Sequence, residues 1–223
     1  MYLTDKRCAE FQGLLNHCAE RRLPFRIVDQ EQLRRVSGSQ RHQGICVVMR
    51  PIVSLDRRQL REQVTSTHGH QVWLYLDRVG NPHNFGAIAR SAAHFGVSGI
   101  LVPDEPTAAT VSTASLRTSE GGLEVVPVAR LKRPIEELKW MRDTQGFELW
   151  ATAAHGEIDL WESQPPKRLV WILGTEVTGV NDRLLTLAGA RLRIGGTGAV
   201  ESLNVSTAAA LCLGWSWQRY DAG

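Results

Sequence analysis

The chain has 223 residues, of which 43% are hydrophobic and 22% charged, and it carries a net charge of +3. That length can bury a sizeable core, and the balance excludes fibrous and intrinsically disordered classes. No apolar run approaches the ~20 residues of a membrane span, and the start lacks the basic-then-apolar order of a signal peptide, so no membrane partner and a cytoplasmic location are expected.

Residues 5–22 read as a helix, with Cys8, Phe11, Leu14, Leu15 and Cys18 near one face and Pro24 as its stop. Phe25–Asp29 reads as a short strand, Gln30–Val36 as a short helix, and Gly44–Met49 as a strand rich in β-formers. Residues 53–70 are polar and read as a short helix followed by a linker. From residue 71 the pattern changes. Val72–Leu76 is nearly continuous in apolar residues, as a strand covered on both faces would be. A helix over Asn84–Phe95, a strand over Ser98–Val102, a helical stretch at 107–118, a strand over Glu124–Val128 and a helix over Pro134–Arg142 follow. Phe147–Thr152 and Arg168–Leu173 read as strands, Asn181–Leu187 as a helix, Ala190–Ile194 as a strand and Ser202–Arg219 as the last helix. This alternation predicts an α/β domain with a mostly parallel sheet.

The charge is uneven: residues 1–70 carry +5 and residues 71–223 carry −2. Arginines outnumber lysines 22 to 4, and the guanidinium fork suits phosphate. A basic first third suggests a nucleic-acid partner, against the plain alternative of a solvated face. Cys8, Cys18, Cys46 and Cys212 form no metal-binding spacing, which argues for a reducing compartment and against a metal site.

In a parallel sheet, ligands gather beyond the carboxyl ends of the strands. Three loops there have unusual composition. In 81–91, Asn84 could cap a helix, and Arg90 lies two turns in; a cap with an exposed arginine is the plain alternative. In 174–179, glycines at both ends frame Glu176, or simply form a turn. No dinucleotide or nucleoside-triphosphate fingerprint is present, which counts against a small-molecule enzyme using a nucleotide. In 194–208, Gly195, Gly196 and Gly198 precede Ser202, Asn204 and Ser206, with Ser202 as the expected cap of the last helix.

These loops, in order, resemble the three motifs of the SpoU (TrmH-like) branch of the SPOUT family of RNA methyltransferases. Asn84-x-Gly-Ala-Ile-x-Arg90-Ser is similar to the first motif, Leu173-Gly-Thr-Glu-x-x-Gly179 to the second, and Glu201-Ser-Leu-Asn-Val-Ser-x-Ala208 to the third. The segment Arg117-Thr-Ser-x-Gly-Gly-x-Glu124-Val-Val-Pro-Val resembles a stretch between motifs. His42-Gln-Gly44 before a strand is similar to the end of an L30e-like substrate-binding module whose front part is missing here.

The resemblance implies a domain division of 1–52 (partial L30e-like RNA-binding module), 53–70 (linker) and 71–223 (methyltransferase domain with a C-terminal trefoil knot, an exception to the rule against knots). It implies S-adenosylmethionine as cofactor, held by Leu173, Gly174, Thr175, Gly179, Ile194, Gly196, Leu203 and Asn204, and a homodimer. It implies methyl transfer to a ribose 2′-hydroxyl of structured RNA, rRNA in preference to tRNA. Asn84, Arg90, Glu176, Ser202 and Asn204 would be the catalytic set. Arginine holds its proton too firmly to serve well as a base, so Arg90 is expected to clamp a phosphate and stabilise the developing alkoxide. Arg21, Arg22, Arg34, Arg35, Arg41 and Arg90 are the expected RNA contacts. One departure stands out. The family usually has Ile-Pro-Met where this chain has Ile194-Gly195-Gly196, which loosens the cofactor loop. An RNA-binding or assembly factor of the same fold without turnover is the alternative.

Overall fold

The computed structural model describes residues 1–221, which divide into two compact units, Met1–Pro51 and Ile52 onward.

The first unit is small. Strand β1 (Tyr2–Leu3) pairs in parallel with β2 (Arg26–Ile27) and antiparallel with β3 (Ile45–Cys46). Between them lie a single 3-10 turn at Asp5–Arg7 and helices α1 (Gln12–Glu20) and α2 (Gln30–Ser37). The helix expected over 5–22 is thus broken at its start. The strand expected over 44–49 shrinks to two residues, because Val47, Val48 and Met49 are exposed and outside the sheet. Helix α2 begins with a full capping box, in which Asp29 accepts from the Gln32 N–H and the Gln32 side chain from that of Asp29. Leu3, Leu15, Cys18 and Leu33 form its modest core.

The second unit starts with α3 (Arg57–Ser66), the short helix expected within the stretch assigned as a linker. It is structural instead. Leu60 and Val64, one helical turn apart, are fully buried, and Leu55 bridges to Ala129. Glu137, itself buried, accepts from Arg57 Nε at 2.5 Å and Arg61 Nε at 3.0 Å, and the Arg61 guanidinium lies over Trp140. Its single short apolar stripe marks the helix but not the domain it packs on.

After α3 come β4 (Gln71–Leu76), α4 (Pro82–His94), β5 (Gly99–Pro103), α5 (Thr113–Ser119), α6 (Gly122–Val125) and β6 (Val128–Leu131). Then follow α7 (Pro134–Gln145), β7 (Glu148–Thr152), β8 (Ile158–Asp159), β9 (Arg168–Leu173), α8 (Asp182–Leu187), β10 (Ala190–Arg193) and α9 (Val205–Asp221). Glu124 and Val125, expected in a strand, belong to the short α6; the strand begins only after Pro127.

The seven strands make one parallel sheet in the order β6-β5-β4-β9-β7-β10-β8. Both faces are covered, as the continuous apolar strands require. On β4, Leu74 and Leu76 enter one core with α4 and α9, while Trp73 and Tyr75 enter the other with α3 and α7. On β9, Leu169, Trp171 and Leu173 alternate with Val170 and Ile172 in the same way. Trp150, Trp171 and Trp215 pack together, and the Trp171 ring N–H donates to Ser216 Oγ at 3.0 Å. Among the described residues no helix is long and apolar enough to cross a membrane.

Candidate active site

The sheet order sets the site. From β4 the chain moves outward through α4 to β5 on one side, while β9 lies against the other side of β4. Leu76 and Leu173, the last residues of these two strands, are register partners, so the loops after them emerge side by side. Such a reversal of strand order is where an open α/β sheet leaves a crevice.

The first loop is capped by Asn81, not by Asn84. Its side-chain oxygen accepts from the N–H groups of His83 (2.8 Å) and Asn84 (3.4 Å), with Pro82 at the first helical position. Asn84 therefore lies inside the first turn of α4 with its side chain free for other bonds. The Asn81-Pro82 pair was the available signal, since proline favours the first helical position and asparagine the cap before it.

The second loop, 174–179, is closed by a Thr175–Gly179 bridge, with the Gly179 N–H donating to the Thr175 carbonyl at 2.9 Å. Thr175 Oγ1 also accepts from the Thr178 N–H. Gly174 permits this closure, since a side-chain carbon there would fall inside the Gly179–Val180 backbone. Sequence reasoning passed over Asp77 and Arg78 at the end of β4. The buried Asp77 carboxylate accepts from the Asn181 N–H at 2.8 Å and pairs with Arg78 at 3.2 Å, and Arg78 donates to the Gly179 carbonyl. These bonds tie the far end of the second loop to the end of β4, and the Asp77 N–H, donating to the Leu173 carbonyl at 2.7 Å, ties the near end.

The third loop, 194–204, runs from β10 back to α9. Helix α9 starts at Val205, so Ser202 is not its cap. Asn204 is, accepting from the Ser206 N–H at 2.9 Å and from Ser206 Oγ. Ser202 sits exposed in the irregular stretch before it.

Three of the five expected catalytic residues meet. Glu176 Oε1 accepts from Asn204 Nδ2 at 2.5 Å, Asn84 Nδ2 at 3.2 Å and the Val205 N–H at 3.2 Å. Asn204 Nδ2 also donates to Asn84 Oδ1 at 3.2 Å. One carboxylate oxygen thus collects donors from the loops after β4 and β10 and from the positive end of α9. Arg90 lies two turns further along α4 and pairs with Glu120 at 2.8 Å. Glu120 has a left-handed backbone (φ 45°) at the end of α5, an uncommon conformation for a side chain of its size, and nothing in the sequence marked it. Both partners are about 60% exposed, so the pair is weak and a stronger anion can displace Glu120.

The expected cofactor residues lie on the second and third of these loops. Leu173 is buried beneath them, Gly174 and Thr175 are half-buried, Gly179 is exposed, and Ile194 packs on the core. Gly196 has open space about it. Val177, Val200 and Leu203 expose their aliphatic side chains on these loops. Apolar cover beside a carboxylate and a helix start fits a bound nucleoside. The Ile194-Gly195-Gly196 departure has a structural counterpart. A Cβ on Gly195 would lie 2.7 Å from Asp159 Oδ2, so the Asp159 carboxylate fills that position. Asp159 is held by Arg193 at 3.5 Å and by the Trp161 N–H at 3.1 Å.

Five of the six expected RNA arginines are dispersed in the first unit, and the sixth, Arg90, lies on α4 of the second. Arg21 and Arg22 are exposed at the end of α1. Arg34 and Arg35 both pair with Glu31, which offsets part of their charge. Arg41 lines a surface concavity.

Comparison with known proteins gives the family. Residues 71–214 match the SpoU rRNA Methylase family, and residues 1–52 match the RNA 2′-O ribose methyltransferase substrate-binding family. The chain is 31% identical to an uncharacterized tRNA/rRNA methyltransferase, YfiF, of Escherichia coli O157:H7, over 95% of this chain and 60% of that protein. It is 30% identical to the 23S rRNA (guanosine-2′-O-)-methyltransferase RlmB of Ralstonia nicotianae, over 94% of this chain and 81% of that one. Among solved structures it resembles the SpoU methyltransferase AviRb of Streptomyces viridochromogenes in complex with AdoMet, with a TM-score of 0.65 and 27% identity over 70% of this chain and 60% of that one. The chain thus spans about 60% of the length of YfiF and of AviRb. With three motif loops converging on one carboxylate and the family match covering the unit that carries them, the chain belongs to the SpoU rRNA methylase family.

Proposed function

We propose that the chain transfers the methyl group of S-adenosylmethionine to a ribose 2′-hydroxyl of a structured RNA, rRNA in preference to tRNA. The observation that carries this reading is the Glu176 oxygen shared by Asn84, Asn204 and the Val205 N–H. It fixes the three motif loops against one another before any ligand arrives, so little ordering cost remains at binding. The rRNA preference rests on likeness to RlmB.

The backbone of Leu173, Gly174, Thr175, Gly179, Ile194, Gly196, Leu203 and Asn204 would hold the cofactor, with Val177, Val200 and Leu203 as apolar cover. S-adenosylmethionine supplies a methyl that is already electrophilic. What the chain's own residues must do is place the 2′-oxygen in line and favour its anionic form. Arg90 suits both tasks. Released from Glu120, it can fork onto the adjoining phosphate and face the oxygen as negative charge develops. Only RNA offers that hydroxyl. Ser202, exposed beside the site, is assigned to the ribose or cofactor side of it. Arg21, Arg22, Arg34, Arg35 and Arg41 are assigned to the RNA backbone. The same reading includes a cytoplasmic location, a trefoil knot formed by the segment after β9, and a homodimer. Support for the dimer is Trp217, half exposed on α9 and near Phe95.

The test is incubation with labelled S-adenosylmethionine and total RNA, followed by mapping of 2′-O-methyl positions. Label in a ribose supports the reading. Cofactor binding with no label in any RNA favours the non-catalytic assembly factor.

A further inference from the structure

The first unit holds a concavity of about 480 Å³ at one edge of its small sheet. The carboxyl ends of β1 and β2 and the amino end of β3 share that edge, because β1 runs parallel to β2 and antiparallel to β3. Its lining is Thr4, Lys6 and Arg7 from the first loop, Gln30 at the start of α2, and the run Gln40–Gly44. No carboxylate lines it.

We infer that this concavity is a subsite for a single unpaired nucleotide of the RNA, with its phosphate on Lys6 and Arg41 and its base read by the glutamine amides. The inference deepens the RNA reading above and rests on it. The volume suits one nucleotide and is within the usual range of small-ligand pockets. Lys6 and Arg41 are exposed and make no ion pair among the described residues, so both can receive an anion. Arg7 is already spoken for: it pairs with Glu10 at 2.6 Å, and its guanidinium lies 5.2 Å from the Phe11 ring centre. Held as a flat plate, it offers the kind of surface on which an unstacked base can lie. Its Nε is buried with no partner. His42 Nδ1 accepts from the Gly44 N–H at 3.1 Å, which places the ring proton on Nε2, free to donate. Gln30 and Gln40 each carry both a donor and an acceptor, the pairing that reads a base edge. A fully paired helix keeps its base edges engaged and gains nothing from these amides.

The experiment uses the full chain and fluorescence anisotropy with two RNA hairpins that differ by one bulged nucleotide. The unaltered protein should bind the bulged hairpin at least fivefold more tightly. Lys6→Ala/Arg41→Ala should weaken binding to both hairpins at least tenfold and flatten the salt dependence. Gln30→Ala/Gln40→Ala, at exposed positions, should erase the preference for the bulge and leave binding of the paired hairpin within twofold. Calorimetry with S-adenosylmethionine should give the same affinity for all three proteins, which checks folding and the second unit. Equal binding of both hairpins by the unaltered chain, or variants indistinguishable from it, overturns the subsite alone. No RNA binding by the unaltered chain overturns both the subsite and the RNA reading.

Discussion

Glu176→Gln is the sharpest test of how the site is assembled. The substitution keeps the shape and the accepting oxygen but removes the charge. In the unaltered protein Glu176 Oε1 accepts three N–H donors, from Asn84, Asn204 and Val205. A hydrogen bond to a charged acceptor is worth ~1.5–3 kcal/mol, against ~0.5–1.5 for a neutral one. Glu176 is exposed, so solvent screening roughly halves the difference, leaving ~0.5 kcal/mol per bond. Three bonds give about 1.5 kcal/mol, or roughly tenfold in binding. The assay is calorimetric titration with S-adenosylmethionine, alongside thermal unfolding. We expect a roughly tenfold rise in Kd for Glu176→Gln, a larger rise for Glu176→Ala, and for Glu176→Gln a melting temperature lowered by no more than roughly 3–6 °C, the full equivalent of ~1.5 kcal/mol in a chain of this length. Wild-type affinity in both variants would refute the reasoning. A collapse of thermal stability would refute it too, since the carboxylate would then be holding the fold and not the site.

Other predictions follow from the same geometry. Arg90→Ala should reduce methyl transfer at least 100-fold while leaving S-adenosylmethionine affinity within threefold, and Arg90→Lys should recover little, because a lysine lacks the fork; single-turnover assays and calorimetry separate the two effects. Gly195→Ala should lower stability by about 1 kcal/mol, since the added carbon meets Asp159 Oδ2, and Asp159→Gly in the same chain should remove that penalty by relieving the clash; urea melts of the single and double variants give the coupling. Burial pushes the Cys212 thiol up to about 12 from an ordinary value of 9.0. The unfolded chain therefore loses this proton first, so stability should hold below about pH 9 and fall from pH 9 toward 12, by at most about 1.4 kcal/mol per pH unit for this one group. Tyr75 and Tyr220, both raised mainly by burial, add to the decline above pH 10, and Cys212→Ala should flatten the first part of the curve in alkaline urea melts.

The sequence was most readable where local chemistry and tertiary role coincide. The β4 and β9 runs had to be central strands, because a strand apolar on both faces needs cover on both. Asn84, Glu176 and Asn204 could be singled out because polar residues framed by glycine and a helix start have few other uses. Their meeting on one oxygen depends on β4 lying beside β9, a fact of strand order that no single loop encodes. The caps were misplaced for a related reason. Several residues near each helix start could accept an N–H, and only the backbone path selected Asn81 and Asn204. Glu120 and Asp159 were invisible because each acts on a distant residue, Arg90 in one case and Gly195 in the other. The two-residue strands β1 and β8 are too short to leave a period-two pattern, whereas β2 and β3 were legible only as longer strands than the sheet keeps.

The placement of α3 has a practical consequence for anyone who would take the protein apart. A cut at residue 71, where the family motifs begin to read, would remove Leu60, Val64 and both arginines that neutralise buried Glu137. The remainder would lose the partners of Glu137 and bare the apolar face that Leu60 and Val64 cover, which is a recipe for aggregation. The natural seam lies at Pro51–Ile52, twenty residues earlier. Exchange of the first unit for another would have to be joined there, with α3 travelling as part of the second unit.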